Sequence, residues 1–268
     1  MKEKLNEIGQ QQIDRVSVSL LSALQTFTKG GIELQKLHDV VEAAFSPFRE
    51  QIQAFQKALA SAFIDIKRVI EKLPEKNRQA LKILAKNGWY PNFDLSLPIL
   101  FEMATKFSSG DNADANNILC DHFDSHITDI ELDFNKKLPV RGRLLSYAFQ
   151  AHRQGDYALS IPVFLAQADG ICQEITGIQL YSRNYSGIPM LASVLITPDI
   201  SPFYLSILTP IIEPMPISAS RNEREQMDNI LNRHIVLHGE STDYDNRLNS
   251  CRAISLLIYV EWVLRNRE

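Results

Sequence analysis

The sequence predicts an all-α protein, a helical bundle preceded by an amphipathic helical region. Three observations predict it. Apolar residues recur every three to four positions along most of the chain, as one face of a helix requires. No alternating apolar–polar run of strand length occurs. Glycine, proline and asparagine punctuate the periodic stretches at helix-length intervals.

Ile13, Val16, Leu20, Leu24 and Phe27 share one helical face and end before Gly30-Gly31. A second helix is expected over 32–44. A longer one follows from Pro47 to about Leu73, with Ile52, Phe55, Leu59, Phe63, Ile66 and Ile70 on its stripe. This N-terminal region, 1–73, reads as a hairpin or bundle whose stripe packs on itself or on a partner, rather than as a membrane anchor. Pro74 is expected to break the chain. A middle region, 74–135, then holds helices over 75–86, 95–107 and 113–134, the last capped by Asp111 or Asn112. The basic stretch 135–143 reads as a connector.

The third region, 136–268, holds helices over 144–153 and 157–176, separated by Gln154-Gly155-Asp156. Six prolines between 189 and 216 mark a Pro-rich insertion over about 182–220, with short helices near 191–196 and 203–212. Helices over 221–238 and 247–265 complete the chain.

The chain has 268 residues, of which 45% are hydrophobic and 22% charged, enough for a large buried core. No run of about 18 apolar residues marks a membrane span. The start, Met1 to Glu7, is polar and lacks the apolar core of a signal peptide. Cys120, Cys172 and Cys251 are single and widely spaced, against a disulfide framework or a thiolate metal site. The expected compartment is the cytoplasm. A net charge of −4 opposes a general nucleic-acid coat but allows a local cationic cleft.

The chemistry concentrates in Asn232-Arg233-His234-Ile235-Val236-Leu237-His238-Gly239. On a continuous helix, Met227, Ile230, Leu231, His234 and His238 fall within one apolar arc. His234 and His238 are then core residues or metal ligands. The metal reading lacks both the glutamate of a zincin and a third ligand. His122 and His126 repeat the spacing without better support.

Arg233 and His238 lie roughly 140° apart on an ideal helix. Acting on one phosphate therefore needs a helix end, a bend, or a second copy of the motif. Gly239 is expected to end the helix at His238, where the macrodipole favours a protonated ring suited to a general acid. Arginine grips a phosphodiester through two parallel hydrogen bonds. No Gly-x4-Gly-Lys loop, Gly-x-Ser-x-Gly elbow or Gly-x-Gly-x-x-Gly turn is present, so nucleotide hydrolysis, serine-hydrolase and Rossmann chemistry have no support.

Of the six histidines, only His238 has an arginine five to seven positions upstream. This Arg-x4-His spacing, on the penultimate helix of an all-α chain, resembles the Arg-x(4–6)-His signature of the HEPN superfamily. The pattern Asn-Arg-His-x3-His-Gly, followed by Tyr244 and by Asn249 opening an apolar helix, looks like that of uncharacterised bacterial HEPN or abortive-infection-like proteins. The resemblance covers about residues 140–268.

It implies a HEPN-like bundle, often a homodimer, that cuts RNA without metal or other cofactor in a defence or toxin setting. Arg233 would stabilise the developing charge while His238 exchanges the proton. It also implies an acidic or polar residue on a neighbouring helix that orients the motif. Asp169, an acid within an apolar helix, is the candidate; exposure or pairing with a nearby cation is its other reading. Asn232 and His234 would shape the cleft, and Tyr244 would stack on a base or pack structurally. Lys136, Lys137, Arg141, Arg143 and Arg153 would guide RNA, or simply form a solvated face. The N-terminal helices are where an antitoxin or partner protein would bind. The competing expectation is a non-catalytic interaction or dimerisation module that uses the same motif structurally.

Overall fold

The structure, a computed structural model, describes residues 39, 54, 57, 71–91, 95–185, 187–224 and 231–266. It divides the chain between Glu71 and Lys72. The helices expected over 13–27, 32–44 and 47–73 lie, but for positions 39, 54, 57 and 71–73, outside the described residues. All elements discussed below belong to the second unit.

Its helices are α1 (72–86), α2 (Leu97–Ser109), α3 (Asn112–Lys137), α4 (Pro139–Gln154), α5 (Tyr157–Thr176) and α6 (Ala192–Leu195). They continue with α7 (Pro202–Ile207), α8 (Thr209–Ile212), α9 (Arg221–Arg224), α10 (Arg233–Leu237) and α11 (Arg247–Arg265). Among the described residues there is no strand, only an isolated bridge between Arg183 and Pro189. The class is all-α. No helix among these residues is long and apolar enough to cross a membrane.

The C-terminal helix is the axis of the bundle. Thirteen of the nineteen residues of α11 are buried, so it has almost no solvent face. A helix buried nearly all round must be enclosed by others. Here α11 packs on α3 and α5, α5 packs on α4, and α4 on α3. Each neighbour offers a helical stripe, such as Ile161, Phe164, Leu165, Ala168, Ile171 and Cys172 on α5. Phe149 links three helices, its ring 6.2 Å from Phe134 on α3 and 5.0 Å from Phe164 on α5. Aromatic pairs at such spacings add to the area term. The core runs without interruption from Ala80 to Leu264, so the middle and C-terminal stretches share it.

Local chemistry explains most boundaries and several departures from expectation. Pro74 lies inside α1 rather than ahead of it. The buried face Ala80, Leu81, Leu84 and Ala85 anchors that helix despite the bond a proline removes. Asp111 occupies the N-cap of α3 but makes no side-chain cap; its carboxylate takes Lys106 Nζ at 3.2 Å instead. The basic connector expected over 135–143 is helical, with α3 running to Lys137 and α4 opening at Pro139. Only Leu138, itself buried, separates them. Proline at the first helical position gives up only a hydrogen that would have no partner there.

Pro162 sits inside α5. Lacking an N–H, it leaves the Ala158 carbonyl without its helical donor. The Tyr244 hydroxyl, 3.2 Å away, donates to that oxygen.

Candidate functional site

The motif is not the end of a long helix. Leu231 and Asn232 are non-helical, and Asn232 has extended backbone angles, φ −123° and ψ 125°. The helix α10 therefore starts at Arg233 and spans five residues. Asparagine prefers the N-cap because its carbonyl oxygen satisfies first-turn amides. Asn232 Oδ1 accepts from His234 N at 2.9 Å and Ile235 N at 3.4 Å. Its Nδ2 donates to Pro216 O at 2.6 Å and Ala219 O at 3.0 Å, pinning α10 to the 3-10 turn Pro216–Ser218. Asn232 is buried, so all these groups meet away from water.

Two expectations about the motif fail as a result. His234 and His238 do not lie on a buried arc: His234 is half-buried and His238 exposed, because the apolar face of α10 is Val236 with the partly buried Ile235. Nor does a long helix end at His238, since α10 spans only five residues. Gly239 does end the segment. Its φ of +71° is the left-handed conformation that a side chain disfavours.

Arg233, the first residue of α10, reaches back to α5. Its Nη2 is ion-paired with Asp169 Oδ2, and both side chains are about four-fifths buried. Asp169 Oδ1 accepts from Leu180 N at 3.0 Å. The carboxylate is thus held at one oxygen by the backbone and at the other by the guanidinium. The Arg233 guanidinium carbon lies 5.4 Å from the centroid of the Tyr181 ring, a cation–π distance. Burial pushes the Tyr181 phenol well above its ordinary range, so the ring stays neutral beneath the cation.

The two imidazoles of the motif stack in parallel, with centroids 6.2 Å apart and planes 2° apart. Burial, then the charges of Arg233, His238 and Arg224, hold His234 below the ordinary histidine range. Arg224 Nη2 is 3.4 Å from Glu240 Oε2, while its Nη1 is buried with no hydrogen-bond partner among the described residues. The neighbourhood of α10 thus gathers two arginines and two histidines against Asp169 and Glu240.

The structure brings Arg233, Asp169, Asn232 and His234 together, with His238 at the exposed end of the same helix. It does not bring in the others. Tyr244 directs its hydroxyl to Ala158 O, although it also lines a pocket of about 120 Å³ with Leu231, Asn232, Ile235, Asn246 and Asn249. Neither Arg233 nor His238 lines that pocket. Of the five basic residues further up the chain, three are committed to acids. Lys137 meets Asp133 at 2.7 Å, Arg153 meets Glu131 at 2.7 Å, and Arg141 meets Glu174 at 2.9 Å. Arg141 also donates to Gly170 O at 2.8 Å, possible because a Cβ on Gly170 would lie 2.6 Å from Arg141 Nη1. Lys136 and Arg143 are exposed. His122 and His126 contact each other at the surface of α3, with ring centroids 4.7 Å apart. Sequence reasoning missed Tyr181 and Arg224, which sit in irregular or short segments and carry no periodic signal.

Compared with known proteins, the chain matches no family model, no curated protein and no solved structure.

Proposed function

We propose that the protein is a HEPN-like endoribonuclease of a bacterial defence or toxin system, working as a homodimer with Arg233 and His238 on the scissile phosphodiester. The observation that carries this reading is the placement of Arg233: braced by Asp169 over Tyr181, it opens a short helix whose C-cap, five residues on, is an exposed histidine. In the cut, the RNA 2′-oxygen bonds to the adjacent phosphorus and the bond from phosphorus to the 5′-oxygen breaks. Arg233 balances the charge that builds on the phosphoryl oxygens. His234, kept neutral by burial and by Arg233, accepts the 2′-hydroxyl proton, and His238 gives a proton to the departing 5′-oxygen. Arg224, whose Nη1 has no hydrogen-bond partner among the described residues, adds cationic character beside them.

Purified protein incubated with RNA in EDTA tests this. The expected products carry 2′,3′-cyclic phosphate and 5′-hydroxyl ends, and His238→Ala abolishes them. Cleavage that survives in His238→Ala, or its absence from wild type across varied RNAs, overturns the reading.

A second reading draws on the Asp169–Arg233 pair itself. A pair held at this depth, beside an asparagine that stitches α10 to its neighbours, is also what a non-catalytic interaction module would use as a structural staple. Under that reading Arg233→Ala lowers stability and no variant changes RNA.

A further inference from the structure

Away from Arg233, four helices of the bundle meet at one buried polar knot. His152 on α4 is buried, its Nδ1 2.8 Å from Ser250 Oγ on α11 and its Nε2 2.8 Å from Asp124 Oδ1 on α3. Cys251, fully buried next to Ser250, directs its Sγ to the same Asp124 oxygen from 3.6 Å. Ser160 on α5 closes the knot, 2.9 Å from Ser250 Oγ. One imidazole nitrogen, one carboxylate oxygen and one sulfur therefore lie within 4.8 Å of one another. Ligand bonds of about 2.0–2.3 Å around a tetrahedral zinc ion place donor atoms roughly 3.3–3.8 Å apart. The sulfur and carboxylate oxygen already stand at such a spacing, and the imidazole nitrogen must move about half an ångström from that oxygen to accept one.

Two of the three donors are also fixed from behind, as metal ligands generally are. Ser250 holds the far nitrogen of His152. Arg247 Nε takes the other oxygen of Asp124 at 2.7 Å. Asp124 is about one-third exposed, which gives an ion an entry path and leaves room for water. The residues lie 28 and 127 positions apart, so no linear motif announces them.

We propose that Asp124, His152 and Cys251 form a binding site for a divalent transition-metal ion of the zinc class, with water in the fourth position. One nitrogen, one oxygen and one sulfur donor suit an ion of borderline softness. Binding releases a single proton, that of the Cys251 thiol, as the thiolate bonds the ion. The His152 proton only changes place, leaving Nε2 for Nδ1. Ser250 Oγ then accepts from Nδ1, and its own hydrogen turns to Ser160, whose hydroxyl points to Tyr157 O. The site is independent of the RNA-cleavage reading.

The test uses the full-length, tag-free protein, stripped with a chelator, dialysed and titrated with Co(II) under absorption spectroscopy. The expected result is saturation at one ion per chain, with a thiolate-to-cobalt charge-transfer band and the visible bands of a tetrahedral site, all displaced by zinc. Asp124→Asn weakens uptake at least tenfold. Cys251→Ser loses the charge-transfer band, whereas Cys172→Ala, a buried cysteine elsewhere, keeps it. Wild-type protein that stays helical by circular dichroism yet takes up no cobalt overturns the site, as does a charge-transfer band that survives Cys251→Ser. Should Cys251→Ser fail to fold, the wild-type spectrum decides, since uptake without a thiolate band equally rejects the assignment.

Discussion

A carboxylate that already accepts a backbone hydrogen bond meets an arginine with its position and direction set. That is the state of Asp169, whose two oxygens face Leu180 N and Arg233. Asp169→Asn leaves a mostly buried guanidinium without its charge partner. Leaving a buried group unpaired costs about 1–3 kcal/mol, less than for a fully buried pair because one-fifth of each side chain is still exposed. Urea unfolding of Asp169→Asn, Arg233→Ala and the double variant measures it; the double loss is expected to fall short of the sum. An unchanged midpoint in Asp169→Asn rules out the brace. The sequence singles out Asp169 as an acid inside an apolar helix that would orient the motif, but which motif side chain it meets was not legible, since Arg233 lies 64 residues away. His234 supplies a pH-dependent term. Its folded-state ring holds a proton less readily than an unfolded histidine, because burial and Arg233 oppose the charge. Below the ordinary histidine value, about 6.5, the unfolded chain binds the proton first. Stability from this residue is therefore full above that pH and is lost as pH falls towards the lower folded value. Denaturation midpoints at stepped pH are expected to drop faster in wild type than in His234→Gln. Parallel profiles rule this out.

Among elements, α5 and α11 were readable from end to end, while α10 was not. Both long helices pair sustained periodicity with strong terminal signals, such as Gly177 after α5 and Asn246, whose side chain caps α11. Around 231–238 the same periodicity continues through Asn232, so a continuous helix looks equally good. What breaks it is tertiary. The Pro216 and Ala219 carbonyls need donors, and the Asn232 amide serves them only from an extended backbone. Asn232→Ala removes the cap and strands these acceptors, at a cost of about 2 kcal/mol or more. Guanidinium unfolding checks it, and a loss under about half a kcal/mol would mean that water replaces the amide. Tyr244 and Pro162 form a second tertiary element that sequence hides. Tyr244→Phe deprives Ala158 O of its donor and is expected to cost about 1 kcal/mol. In a Pro162→Ala background the restored helical N–H meets that carbonyl, and the same tyrosine change becomes nearly neutral. Equal costs in both backgrounds would show that Tyr244 acts through packing alone.

For the whole molecule, the all-α class follows from periodicity, but the arrangement of the helices follows from which faces must be enclosed. The expected boundary near 135 rested on Lys136, Lys137, Arg141 and Arg143, a charged run that resembles a linker. In the fold, Phe134, Leu138 and Leu145 bury the apolar side of that run, while Lys137 and Arg141 pair with acids. A charged stretch reads as a connector only when the apolar residues between the charges are overlooked. The consequence is cooperative. Trp89, from the middle stretch, stacks on Phe123 at 5.8 Å with planes 6° apart, and its Nε1 donates to Asn116 Oδ1 at 2.8 Å. Tyr259, from the last helix, is wholly buried and donates to Ile207 O across the same core, with Tyr90 tilted against its ring. Removing either ring opens one shared interior rather than one of two, at a cost of about 3–5 kcal/mol for an aromatic-to-alanine change. Trp89→Ala and Tyr259→Phe are therefore expected to shift a single transition of the core, the second by the smaller loss of one hydrogen bond. Tryptophan fluorescence, from Trp262 alone in Trp89→Ala and from Trp89 and Trp262 together in Tyr259→Phe, should fall together with helical circular dichroism in both variants. Separate midpoints for the two signals in Trp89→Ala would show that the stretch ending near 135 unfolds on its own, and the shared core would have to be redrawn as two.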